Sequence, residues 1–419
     1  MNIKTKNVLA ILIVILTMTS LTQWSTIPIG STFTDWVLFG FIIYIFLFKY
    51  KEYYNPSNDS HLWFLKKYIL WVLICFIRGL FVAEYYWDFK NLINASCALF
   101  LALSVYFFTN PNVLKSVLNI WLKYAFPLFV FFIPILMPLS YGYYLIPISF
   151  LALFIPVLNF KWRFIVIGVS LFVILSSIDA RSNVLKFTVP FIFSMLYYFK
   201  FFLKSKLLIL ISMIIFFIPI LFFVLAVNGT FNIFNLEENI SGTYTSEKIK
   251  EGKKIEENLK IDTRTFLYEE VVSSALKNDY VLFGRTPARG NDSFYFGNFT
   301  AEELGTKRYE RYSNEVSILN IFTWTGLVGV VLYFFVFFRA AYLAIVHSKS
   351  SFLKILGLYV SFRWVTAWVE DFNRFDIMNL MLWIVIAMCY SKKFRRMTDF
   401  EFKIWLNKIF KSKYAFFYN

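Results

Sequence analysis

Arg78, Arg181, Arg363 and Arg374 stand in or beside long apolar segments, together with Glu84, Asp88, Asp179, Glu370, Asp371 and Asp376. An arginine at membrane depth costs about 3 kcal/mol on insertion scales and marks a functional site by default. Three more arginines, Arg264, Arg285 and Arg289, fall in a polar insertion spanning residues 228–313. Guanidinium forks match phosphate oxygens two at a time and keep their charge at any working pH. Several at one boundary of a bilayer suit the diphosphate of a lipid-linked substrate whose tail stays in hydrocarbon. The same side chains would also serve as interhelical ion pairs, Arg78 with Glu84 or Arg363 with Asp371. Tyr85, Tyr86, Trp87, Trp364 and Trp368 are able to stack on sugar rings, or to form an interfacial aromatic belt.

What the sequence lacks narrows the chemistry. Its only histidines are His61 and His347, and it carries no HExxH, CxxC, Walker, GxSxG or aspartate-rich metal motif. No metal and no cofactor is expected. A general base, if one is used, is a carboxylate: Glu315 first, where the insertion re-enters the apolar chain, with Asp179 and Asp371 behind it. Glu315 would equally be a helix N-terminal acid favoured by the dipole. Cys75, Cys97 and Cys389 are scattered in apolar segments and imply neither a disulfide framework nor a metal site.

The elements that must position these groups are apolar helices. Of 419 residues, 59% are hydrophobic and only 16% charged, too few to cover a soluble core of this size. The chain reads as an all-α polytopic membrane protein with about twelve spans. The net charge of +16 reflects lysines and arginines in cytoplasmic loops, and no nucleic acid is expected. Basic runs at Lys49–Lys51, Lys66–Lys67, Lys115 and Lys123, Lys161–Arg163, Lys200–Lys206, Arg339 and Lys392–Arg396 place those segments and both termini inside. The short acidic loops and the insertion then lie outside. Residues 1–227 carry nine spans, 228–313 the large outer loop, 314–391 three spans, and 392–419 a basic amphipathic tail lying on the inner leaflet. Within the loop a helix is expected to about Asn278, capped by Asp262 or Thr263. The Gly/Pro turn FGRTPARGND should bring Arg285 and Arg289 together, and a second helix is expected over about 301–311. The loop's first part, to about Lys260, is polar and reads as mobile.

Several of these stretches carry a resemblance. They are Asp179-Ala180-Arg181-Ser182 after a middle span, Asp262-Thr263-Arg264 leading a loop helix, and Leu282-Phe283-Gly284-Arg285. Tyr312-Ser313-Asn314-Glu315 follows, with Thr325-Gly326-Leu327-Val328-Gly329 in the next span. Together they resemble the O-antigen polymerase and O-antigen ligase family of lipid-linked glycan transferases, with a glycosyltransferase-C-like fold. Arg78-Gly79-Leu80-Phe81 with Tyr86-Trp87-Asp88 is similar to the polymerase branch. The resemblance implies diphosphate binding by Arg181, Arg264 and Arg285 or Arg289. Ligases show His-Asn where this chain has Ser313-Asn314, which favours a polymerase.

The expected activity is therefore metal-independent transfer of a growing glycan from undecaprenyl diphosphate to a lipid-linked repeat unit, at the outer face of a bacterial inner membrane. Arg181, Arg264 and Glu315 carry the chemistry; Arg78, Arg285, Arg289, Arg363, Asp179, Asp371 and Asn314 bind diphosphate or glycan. Expected partners are the lipid-linked oligosaccharide, membrane lipids, a chain-length regulator and a flippase. An O-antigen ligase, and a flippase of lipid-linked repeats, are the rival readings.

Overall fold

The computed structural model describes residues 4–54, 62–178, 180–227, 245–250, 253–258, 264–306 and 308–411. The chain is a predominantly helical membrane protein. Its helices are α1 (Thr5–Thr19), α2 (Thr32–Phe48), α3 (Trp63–Val82), α4 (Tyr86–Phe100), α5 (Val105–Phe108), α6 (Pro111–Lys123), α7 (Ala125–Phe132), α8 (Tyr141–Tyr144), α9 (Ile146–Ala152), α10 (Phe160–Ser176), α11 (Arg181–Met195) and α12 (Ser205–Val227). The insertion contributes an antiparallel hairpin, β1 (Thr245–Lys250) with β2 (Lys253–Asn258), then α13 (Thr265–Lys277), β3 (Asn291–Asp292), α14 (Gly297–Glu303) and β4 (Glu310–Arg311), with β3 and β4 also antiparallel. There follow α15 (Ser317–Val346), α16 (Ser351–Thr366), α17 (Ile377–Tyr390), α18 (Lys392–Arg396) and α19 (Asp399–Asn407).

Among the described residues five helical stretches are long and apolar enough to cross a membrane: Thr5–Trp24, Tyr86–Phe108, Pro111–Phe132, Ser205–Ala226 and Ser317–Val346. A helix of 20 residues is about 30 Å long, the thickness of the hydrocarbon layer. Thr32–Phe48 and Ile377–Tyr390 are shorter apolar helices. α12 leaves Leu210, Ile214, Phe217 and Leu221 exposed, the pattern of a helix facing lipid. α15 and α17 form the centre: α15 packs on α3, α12, α16 and α17, and every residue of α17 is buried.

Local chemistry sets the helix starts. Ser31 and Thr34 close a capping box at α2, Asn110 caps α6 ahead of Pro111, and Asp376 caps α17 through Asn379 N at 2.7 Å.

The structure departs from the sequence reading in four places. Lys115 and Lys123 lie on α6, not in a loop, because the turn is made earlier, at Asn110-Pro111. After Phe132 the chain forms short pieces: Pro138, Pro147 and Pro156 each stand in the first turn of one, where a missing N–H costs nothing. The second loop helix ends at Glu303, and residues 310–311 form β4 because they pair with β3. The tail does not simply rest on a surface. Phe402, Trp405 and Ile409 are buried, and Trp405 Nε1 donates to Pro111 O at 3.0 Å. Phe400 and Ile404 remain exposed. Asp262 and Thr263, and the loop to Lys260 outside the hairpin, lie outside the described residues.

Candidate functional site

The site is organised by a break in α15. At Gly326 the backbone leaves the helical region (φ 67°, ψ −172°), nine residues into the helix. The loop after α13 enters the break. Arg285 N donates to Thr323 O (2.7 Å), Leu327 N to Val281 O (2.8 Å) and Val328 N to Leu282 O (3.2 Å). The polar groups that a broken helix would expose to hydrocarbon are thus satisfied by another backbone. Side chains of α3 complete the joint. Arg78 donates to Phe283 O (2.7 Å) and Gly284 O (3.2 Å), and Trp71 Nε1 donates to Thr325 O (2.8 Å). Arg78 is therefore a positioning residue for the loop.

Arg285 and Arg289 do come together, on Glu310. Arg285 lies 3.2 Å from Glu310 Oε1 and 2.7 Å from Asp292 Oδ1, and Arg289 makes a two-pronged pair with Glu310. These carboxylates already occupy both guanidinium groups. Asn314 is also internal: its Nδ2 donates to Asn291 Oδ1 (3.0 Å), tying β3 to the start of α15. Glu315 is largely exposed and sits 3.5 Å from Arg311. It lines neither cavity described below.

A second cluster gathers where α16 ends. Lys186 of α11 is buried, pairs with Glu370 and lies 4.2 Å from the Tyr143 ring centre. Arg363 is buried with its guanidinium 4.5 Å from the Phe372 ring centre. Arg374 Nε is 3.4 Å from Asp371 Oδ2. Asp371 is saturated, its Oδ1 accepting from Asn320 Nδ2 (3.1 Å) and Asn373 N (3.0 Å), with Ser317 Oγ at 3.4 Å. Burial pushes the Asp371 carboxyl up, against the pull of Arg374. Burial likewise pushes Asp376 up, to about 6. Arg181 opens α11, five residues or about 7.5 Å along the axis from Lys186. Asp179 lies outside the described residues.

Two cavities flank this cluster. One is polar, about 540 Å³, and is lined by Gln23, Asp35, Trp36, Asn94, Trp324, Asp371, Arg374 and Asp376 among others. Trp36 Nε1 donates to Asn94 Oδ1 (2.7 Å), which fixes that indole on the wall. The other is an apolar groove of about 410 Å³ between α12, α13 and the end of α16, lined by Phe222, Tyr268, Val272, Trp368 and Val369. Arg264 stands at the head of α13 with Nε on Val369 O (2.8 Å), beside Thr265, which lines the groove. Val369 belongs to the groove and Asp371 to the polar cavity, so only Glu370 separates them along the chain.

No protein-family model, curated protein or solved structure matches this chain. Among the described residues no three His, Cys, Asp or Glu side chains stand together as metal ligands.

Sequence reasoning missed Lys186, Arg308 and the cavity role of Asp376. Arg308 bridges Glu84 and Asp88, with Nη1 2.7 Å from Asp88 Oδ2, and lies over Tyr85. The signal for it was Asp88 itself, an acid at a helix start beside apolar sequence, which needs a cation. Lys186 was legible as a lysine in the middle of an apolar helix.

Proposed function

We propose that the chain is a polysaccharide polymerase. It transfers a growing glycan from undecaprenyl diphosphate to a repeat unit carried on a second lipid, at the outer face of the cytoplasmic membrane. The observation that carries this reading is the pair of cavities joined by Val369–Asp371. An apolar groove beside lipid-facing α12 suits a polyprenyl tail. A polar cavity walled by amides, carboxylates and indoles suits a sugar, since indole faces cover the C–H side of a ring while amides and carboxylates take its hydroxyls. Arg264 at the groove's mouth, with Arg181 at the head of α11, would receive the diphosphate. Charge accumulating on the departing diphosphate would be neutralised there.

The sidedness follows from charge. Lys49, Lys204 and Lys393 at or near helix ends, with Arg339 in the second half of α15, match the inner-face pattern, with about twelve spans and both termini inside.

The test is the surface glycan profile of a strain lacking the chain, complemented with wild type. A ladder reduced to a single repeat on its acceptor supports the polymerase. Bare acceptor with polymer still on the carrier lipid makes it a ligase, and repeats trapped on the inner leaflet make it a flippase.

A further inference from the structure

The polar cavity holds three carboxylates, and they are not equivalent. Asp371 spends both oxygens on partners from α15 and its own loop. Asp35 lies in the first turn of α2, the favoured place for a helix-start acid. Asp376 is 6% exposed, and one oxygen caps α17 by accepting from Asn379 N at 2.7 Å. Its other oxygen accepts no hydrogen bond from any described residue. It is thus a carboxylate fixed in place by a helix start, with one oxygen available to what occupies the cavity.

We infer that Asp376 is the general base that takes the proton from the acceptor hydroxyl during glycan transfer. The inference rests on the polymerase reading. In the step, the acceptor O–H bond gives its proton to the unpartnered oxygen of Asp376 as the acceptor oxygen bonds to the anomeric carbon of the donor. The bond from that carbon to the diphosphate oxygen breaks, and the lipid diphosphate leaves with its electron pair. Atoms and charge balance without a metal or a further reactant.

The surroundings suit the task. Arg374 and Asp371 from the same loop, Lys186 from α11, Tyr143 from α8 and Asp35 from α2 are the titratable and charged groups around Asp376. Burial outweighs the pull of Arg374 and Lys186, so the group would change charge at about pH 6. A base poised near neutral both ionises at working pH and accepts a proton readily.

The test uses the full-length chain in lipid vesicles, with undecaprenyl-diphosphate-linked repeat units extracted from a strain lacking it. Asp376→Asn keeps a good helix cap, because the amide oxygen accepts from Asn379 N as the carboxylate does. Transfer should fall by about 100-fold or more while the repeat unit still binds. Wild type should lose rate as pH drops through about 6, and Asp376→Glu should retain measurable transfer with that limb displaced. Asp376→Asn working within about threefold of wild type, or Asp376→Glu with an unmoved acid limb, would overturn the assignment and leave the polymerase reading standing. Wild type that elongates nothing would overturn both.

Discussion

Gly284 of the loop and Gly326 of α15 meet backbone to backbone, both with positive φ (71° and 67°). A Cβ on Gly284 would lie 2.5 Å from Gly326 N and 2.6 Å from Thr325 N. The helix break and the loop that fills it depend on each other. Neither has room for a side chain, and each donates backbone hydrogen bonds to the other.

Gly284→Ala should therefore lower stability by at least about 2 kcal/mol, combining left-handed strain with a backbone clash. Gly305 has positive φ too (61°) but open space around it. Gly305→Ala should cost only about 1 kcal/mol. Thermal unfolding of the purified chain in detergent compares the two, and equal effects would mean that the joint yields easily.

The loop's inner clamp is Glu310, which holds Arg285 and Arg289 with all three side chains largely buried. Glu310→Gln leaves Arg289 short of its counter-charge, while Arg285 keeps Asp292, at a cost of about 3 kcal/mol. Trypsin cleavage after Arg289 should become fast. Asp292 adds a pH dependence. Burial pushes its carboxyl up, but hydrogen bonds from Arg285, Asn278 and Lys277 outweigh this and hold it below the usual range. The folded loop then binds fewer protons than the unfolded loop, so Asp292 contributes stability above the ordinary aspartate range that is lost as pH falls through its lowered value. Trypsin is inactive there, so pepsin digestion across acid pH reads it. Asp292→Asn should flatten the profile.

Groove occupancy by a lipid tail predicts a selective loss. Ser273→Trp fills the groove from α13 without touching the polar cavity. Transfer from a full-length polyprenyl donor should fall about tenfold, as one lost apolar contact of about 1.4 kcal/mol would give. A donor with a short water-soluble tail should lose much less. Equal losses for both donors would place the tail elsewhere.

The sequence determined the class and the parts. Apolar runs of span length could be nothing but helices in lipid, because an unpaired backbone there is too costly. Arg285 and Arg289 were legible as neighbours because a Gly/Pro turn joins them over four residues. The α13 helix was legible because Phe266, Leu267, Val271 and Ala275 recur at helical spacing.

Which arginine does what was not legible. Arg78, Arg285 and Arg289 look alike in sequence, yet Arg78 is spent on loop carbonyls while Arg285 and Arg289 are spent on Glu310 and Asp292. Guanidinium is equally suited to carbonyls, carboxylates and phosphate, so only its neighbours in space assign it. Glu315 and Asp376 differ in the same way. Both are acids at the start of an apolar helix, but the chain turns one outward and buries the other in a polar cavity. That cavity is built from α1, α2, α4, the start of α15 and the α16–α17 loop. Its walls are hundreds of residues apart in the chain, and local spacing carries no record of contacts made at that range.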